Sequence, residues 1–226
     1  MQILALDTST EYCSVALWRD GEVISRCELV AQKHSEMLMP MLDGLLREAG
    51  VKVTHLDGIA FGMGPGSFTG VRIACGVTQG LALGANLPVV GVCTLEALAE
   101  GAGKPRIIAA LDARMGEVYH GAYIKQNDGW VSESEPSLCK PENAPLLDGA
   151  DWRGVGSGFT THAEQLQLRY AGQLNNVDAA AIPQAAAIAA LGAPRFAAGK
   201  GVDATLALPL YLRNKVALKT SEREKK

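Results

Sequence analysis

The sequence predicts a two-lobed α/β protein on three observations: a strand-and-hairpin unit that occurs twice, a helix–strand–helix–strand order after its first copy, and a glycine-rich loop between a strand and a helix. The first copy reads LDTSTEYCSVALWRDGEV from Leu6, the second LDARMGEVYHGAYIKQNDGWV from Leu111. Each ends an apolar run in an aspartate, Asp7 or Asp112, and closes a hairpin at Asp-Gly, a strong short-range turn signal. A duplicated unit of this kind predicts two similar lobes.

In the first lobe, apolar runs at 3–6, 13–18 and 23–29 predict three antiparallel strands, the last two joined at Arg19-Asp20-Gly21. A helix is expected over 35–50, capped by Ser35, ended by Gly50, and bent or delayed by Pro40. Its apolar face is Leu38, Met41, Leu42, Leu45 and Ala49. A strand at 58–61, the loop 62–70, a helix at 71–85, a strand at 88–92 and a helix at 95–99 follow. In the second lobe the expected strands are 107–111, 116–124 and one starting at 130–132, after a turn at Asn127-Asp128-Gly129. A glycine turn at 154–158 and helices near 161–170 and 183–198 complete it. These elements divide the chain into lobes 1–103 and 104–215 and a solvated tail, 216–226.

Composition narrows the function. With 48% hydrophobic and 20% charged residues, the 226-residue chain has enough apolar material for a packed core. A net charge of −3 carries no footprint for independent nucleic-acid binding. Five cysteines without a CxxC exclude a zinc knuckle and a thioredoxin-like pair, and suit a reducing cytoplasm. The opening MQILALDTST has no basic leader and does not read as a signal peptide. No charge occurs between Arg72 and Glu96, but Thr78, Gln79, Asn86 and Pro88 favour a buried helix and strand over a membrane span.

The candidate sites each carry two readings. Asp7-Thr8-Ser9 is either a phosphate turn, its acid orienting metal-bound water, or a polar strand-end turn with an Asx cap. Gly62-Met63-Gly64-Pro65-Gly66-Ser67-Phe68-Thr69-Gly70 is either an anion-binding loop at a helix N-terminus or a tight structural turn; it is neither a Walker loop nor GxGxxG. Gly154–Gly158 is weak evidence for an adenosine loop. Gly76, Gly80 and Gly84 recur every fourth residue and together cost about 3 kcal/mol of helix propensity, which implies a close neighbour, either this lobe's own elements or another subunit. His34, His55, His120 and His162 are too dispersed for a metal site and are expected at the surface or in caps.

Three early strands followed by helix–strand–helix–strand is the order of a ribonuclease-H-like lobe, so the fold class expected is two such lobes of the actin-like ATPase (ASKHA) fold. ILALDTSTEYCSVALWRDGE, GMGPGSFTGVRIACGVTQGLALG, LDARMGEVY and PLYLR, in this order, closely resemble the TsaB (also YeaZ) family. The resemblance implies a place in the bacterial machinery that puts a threonylcarbamoyl group on adenosine beside the tRNA anticodon (t6A). It implies a non-catalytic scaffold that pairs with a catalytic paralogue, TsaD, and with an ATPase, TsaE, and that forms a homodimer when alone. tRNA would be met only through the complex, ATP and metal would be bound by the partners, and the chain itself would need no cofactor and no membrane. The paralogue's HxxxH metal pair aligns with Thr94 and Leu98, which cannot ligate a transition metal. The partner surface expected on this basis is Leu38, Met41, Leu42, Leu45, Ile73, Gly76, Val77, Gly80 and Gly84, with Asp7, Thr8 and Ser9 as a vestigial nucleotide site. The rival expectation is an active ATPase or peptidase-like enzyme using Asp7 and the 62–70 loop.

Overall fold

The structure, a computed structural model, describes residues 1–127 and 129–213. The expected tail 216–226 and Asp128 of the second Asp-Gly turn lie outside the described residues.

In the first lobe, β1 (Gln2–Asp7), β2 (Tyr12–Arg19) and β3 (Glu22–Leu29) pair antiparallel, and β4 (Gly58–Gly64) and β5 (Val89–Cys93) add in parallel beside β1, in the order β3-β2-β1-β4-β5. The strand period of two divides the side chains cleanly. Leu4, Leu6, Cys13, Val15 and Leu17 face one side; Ile3, Ala5 and Ala16 face the other. The first face is covered by α1 (His34–Glu48) and α2 (Phe68–Ala85).

The second lobe repeats the plan. β6 (Arg106–Asp112), β7 (Val118–Gln126) and β8 (Gly129–Cys139) pair antiparallel, and β9 (Trp152–Val155) and β10 (Leu174–Asp178) add in parallel, giving β10-β9-β6-β7-β8. Read from its own first strand, this is the same strand order as in the first lobe. The short helices α4 (Gly158–Thr161) and α5 (Ala163–Arg169) lie on one face, where Phe159, Leu166 and Tyr170 pack on Ile108, Ala110 and Trp152.

The remaining faces are covered by exchange. α3 (Thr94–Ala102) follows the first lobe in sequence but packs Leu95, Leu98 and Ala99 on Ile107, Ala109, Leu111 and Val155 of the second sheet. α6 (Ala185–Ala197) follows the second lobe but packs on Ile3, Ala5, Ala16, Ala60, Val90 and Val92 of the first. The packing therefore does not respect the 103/104 division, because each sheet needs a second covering layer that its own half does not supply. Small side chains on both sides bring α6 close: a Cβ on Gly192 would sit 2.8 Å from that of Ala60. Glu96 of α3 accepts two hydrogen bonds from Arg195 of α6, at 2.6 and 2.7 Å, and Arg195 also donates to the Gly91 carbonyl. Glu96 thus joins the two helices.

Several boundaries differ from expectation for local reasons. α1 begins at His34 rather than at a Ser35 cap, and it runs through Pro40; its end before Gly50 (φ +65°) is as expected. α2 starts at Phe68 because Ser67 Oγ accepts from Gly70 N–H, and it ends at left-handed Asn86. β9 and β10 are too short and too polar to read from sequence, and β8 extends well past 132. His120 is fully buried, contrary to the surface reading, with Nε2 2.8 Å from the Tyr170 hydroxyl.

The largest correction concerns α1. Leu38, Met41, Leu42 and Leu45 are 4% exposed or less and pack on the first sheet. They have no surface to offer a partner. Replacing Leu45 by Ala should therefore destabilise the chain by about 3 kcal/mol, measured by urea unfolding of the isolated protein; a loss below 1 kcal/mol would contradict this placement.

Candidate functional site

Two features stand on either side of the 62–70 loop: the turn after β1, which the loop seals, and the outer face of α2, which the loop starts. Asp7 is 1% exposed. Its Oδ1 accepts from Ser9 N–H at 3.1 Å and from the Ser9 hydroxyl at 2.8 Å, an Asx turn closed on itself. Its Oδ2 is buried without a partner among the described residues. Burial pushes the Asp7 carboxyl up to about 6, against the two bonds from Ser9, which lower it.

The glycines of the loop exist to let backbone meet backbone. The Thr8 hydroxyl donates to the Gly70 carbonyl at 2.7 Å, and Ser67 N–H donates to the Ser9 carbonyl at 2.7 Å. A side chain on Gly62 would collide with the Asp7 carboxylate, and one on Gly70 with the Thr8 carbonyl; on Gly66 its Cβ would lie 2.5 Å from the Ser9 carbonyl oxygen. Of the two readings, these contacts are those of a tight structural turn. Surface cavities at Phe196 and at Tyr170 lie away from this turn.

The second lobe copies the device. Asp112 Oδ1 accepts from Arg114 N–H at 2.9 Å, two residues on, as Asp7 does from Ser9. Gly156 and Gly158 press against the Ala110 carbonyl, so the run 154–158 is a packing turn. Position 94 is buried, with Thr94 Oγ1 donating to the Pro65 carbonyl, and position 98 is buried in the second lobe's core. Among the described residues no group of three or more His, Cys, Asp or Glu side chains could hold a metal ion.

The outer face of α2 is open. Among the described residues a Cβ at Gly76, Gly80 or Gly84 would meet nothing within 4 Å, and all three are exposed. Ile73 and Val77 are half-buried beside them and pack on the first core. Of the nine expected partner residues, these five form one helix side; the other four, Leu38, Met41, Leu42 and Leu45 of α1, do not join it.

Sequence reasoning missed the segment that borders this face. Residues 204–213 run back along α2: Gln79 donates to the Ala207 carbonyl at 3.1 Å, Leu210 N–H to the Met63 carbonyl at 2.7 Å, and Arg72 Nε to the Tyr211 hydroxyl at 2.7 Å. The same strap then reaches the second lobe, where Arg213 donates to the Ala113 carbonyl at 3.0 Å and pairs with Glu117 at 2.7 Å. The turn it grips holds Arg114, Met115 and Gly116 at φ +62°, +58° and +74°. The signal was available: GPGSFTGVR, DARMGEVY and PLYLR, far apart in sequence, meet here.

A family model described as "TsaD: tRNA N6-adenosine threonylcarbamoyltransferase" matches residues 26–218. The chain is 42% identical to the tRNA threonylcarbamoyladenosine biosynthesis protein TsaB of Escherichia coli, over 97% of both lengths. The chain belongs to the TsaB family. The Haemophilus influenzae TsaB is 35% identical over 97% of this chain and 96% of its own. A crystal structure of YeaZ from Pseudomonas aeruginosa superposes with a TM-score of 0.87 at 43% identity, covering 93% of this chain and 99% of that one.

The buried carboxyl yields a pH signature. With a folded pKa near 6 against an ordinary 3.8, the native state retains a proton that the unfolded chain releases. Stability from this group is complete below about pH 4 and is lost as pH rises through 6, by about 3 kcal/mol. Asp7→Asn keeps an Oδ1 acceptor for Ser9 and should remove this slope. His120, lowered to about 4 by burial, acts in the opposite sense as pH falls, so the quantity to compare is variant against parent, by urea unfolding from pH 4 to 7. Parallel curves would contradict the placement of Asp7.

Proposed function

We propose that the chain is a non-catalytic partner subunit of the machinery that makes threonylcarbamoyladenosine in tRNA, and that it pairs with a TsaD-type transferase through the outer face of α2. The observation that carries this reading is the fate of positions 94 and 98. Where the resemblance aligns the transferase's metal pair, Thr94 is tied to the Pro65 carbonyl and Leu98 is packed in the second lobe's core. A group held in packing on both sides is not available to a substrate. The names of the relatives, biosynthesis proteins of the same modification, support the pathway.

The exposed glycine stripe supports the pairing. Its three glycines together cost about 3 kcal/mol of helix propensity, and among the described residues nothing lies within 4 Å of where their Cβ atoms would be. A neighbouring helix that uses the close approach offsets that cost. A paralogue of the same fold can replace a second copy of this chain about the same pseudo-twofold axis, so one face serves the homodimer and the heterodimer. TsaE joins the complex, tRNA is met through it, and ATP and metal are held by the partners. The chain requires no cofactor and works in the cytoplasm; no helix among the described residues is long and apolar enough to cross a membrane.

The rival enzyme reading, echoed in the description of another Pseudomonas aeruginosa structure as similar to a peptidase, finds no support in a turn closed on itself by its own backbone.

Transfer of threonylcarbamoyl to tRNA should be absent with this chain alone and should require it when the paralogue and ATPase are assayed together. Gly80→Leu should abolish both pairings in sedimentation while the circular dichroism spectrum stays that of the parent. Gly80→Ala, by contrast, should raise the stability of the isolated chain by about 1 kcal/mol. Transfer by the chain without the paralogue overturns the non-catalytic reading; unimpaired pairing of the leucine variant overturns the surface.

A further inference from the structure

We propose that Arg72 is the anchor of this surface, a preset fork for a single carboxylate on the docking partner; the inference rests on the pairing reading above. α2 carries one charged residue along its whole length, Phe68–Ala85, and it is Arg72. The side chain is exposed yet not free to wander. Its guanidinium carbon lies 3.7 Å from the Phe68 ring centroid and 5.7 Å from that of Tyr211, and Nε donates to the Tyr211 hydroxyl. Phe68 and Tyr211 pack together at 5.7 Å between centroids.

The strap holds Tyr211 from both sides, by Leu210 on Met63 and by Arg213 on Ala113 and Glu117. Arg72 is therefore oriented by two aromatic rings and one hydrogen bond, while no carboxylate among the described residues lies within ion-pair distance of it. Arg26, Arg47, Arg153, Arg195 and Arg213 each have one. With Nε engaged on an exposed side chain, the two terminal nitrogens are left for a partner, and that pair matches the two oxygens of a carboxylate. Ordering an arginine before binding removes an entropy loss from the binding step.

The surroundings select the partner's chemistry. Phe68, Leu83, Leu206, Leu208 and Tyr211 are between 41% and 60% exposed along α2 and the strap, and the helix between them presents glycine. A groove that follows a nucleic-acid backbone adds cations in series; among the described residues α2 presents one cation, set in apolar surroundings, on a chain of net charge −3. Arg set among aromatics in an apolar surround is the composition of an interface hot spot. A lone charge at one end of a featureless glycine stripe also fixes register, since a helix sliding by one turn would leave the guanidinium unpaired.

The test measures affinity of the full chain for the transferase paralogue by calorimetry at low and high salt, with circular dichroism on each variant. Arg72→Met retains the stem over Phe68 and should weaken binding about thirtyfold or more and flatten its salt dependence. Arg72→Lys should fall between. Tyr211→Phe should lose several-fold by releasing Nε while the ring stays. Arg72→Glu should be rescued by Lys at one acidic position of the paralogue, found by scanning its Asp and Glu residues. If Arg72→Met binds like the parent at both salt levels while Gly80→Leu fails to bind, the anchor is wrong and the surface stands. If both variants bind like the parent, the surface itself is wrong. If Arg72→Met leaves paralogue affinity unchanged but weakens retention of tRNA in filter binding, Arg72 serves a phosphate and the carboxylate assignment is overturned.

Discussion

The exchange of α3 and α6 between the two halves is the constraint on which the rest depends. Each sheet has two apolar faces, and each half of the chain supplies helices for only one of them. The missing layer comes from the other half, so α3 and α6 lie side by side between the sheets, joined by the Glu96–Arg195 pair. The pair is largely shielded from solvent, with one guanidinium nitrogen meeting both carboxylate oxygens, and such a pair orients helices more than it stabilises them. With the middle layer shared, the two lobes form one packed body, and the interlobe region is filled by Leu98, Thr94 and the glycine turns.

That filling leaves both strand-end turns closed while one helix face stays bare. The turn after β1 is held by the backbone of the 62–70 loop, and Asp7 bonds its own turn; the equivalent turn after β6 repeats the Asx bond at Asp112. Both lobes keep the geometry of a strand-end turn because the sheet requires a sharp exit there. α2, which begins at the same loop, is covered on its inner side by the first sheet and open on its outer side. A single segment thus closes one side of the loop and displays a bare helix on the other.

The elements were legible where a period or a turn signal was strong. The Asp-Gly hairpins, the start of α2 near its glycine loop and the alanine-rich α6 all read from local sequence. What amphipathy could not reveal is what a face meets. Leu38, Met41, Leu42 and Leu45 have the spacing of a buried stripe, and the same spacing serves a sheet or a partner; the structure gives them to the sheet. Gly76, Gly80 and Gly84 left open whether their close neighbour is this lobe or another subunit; among the described residues nothing lies within 4 Å of their Cβ positions. β9, β10 and the strap 204–213 owe their conformation to hydrogen bonds with distant residues, such as Met63 and Ala113, and carry no period of their own.

The exchange also orders events during synthesis. The first sheet is complete in sequence at Cys93, yet its Ile3, Ala5 and Ala16 face has no cover until Ala185–Ala197 has left the ribosome. At about 5–20 residues per second, that interval of roughly a hundred residues lasts on the order of ten seconds. During it the nascent chain displays an apolar sheet face with no partner. Contacts this remote in sequence are slow to form because a long loop must close first. A ribosome-associated holdase has the most to bind on this chain while the second lobe is being made, and a truncation before Ala185 would leave that face uncovered for good.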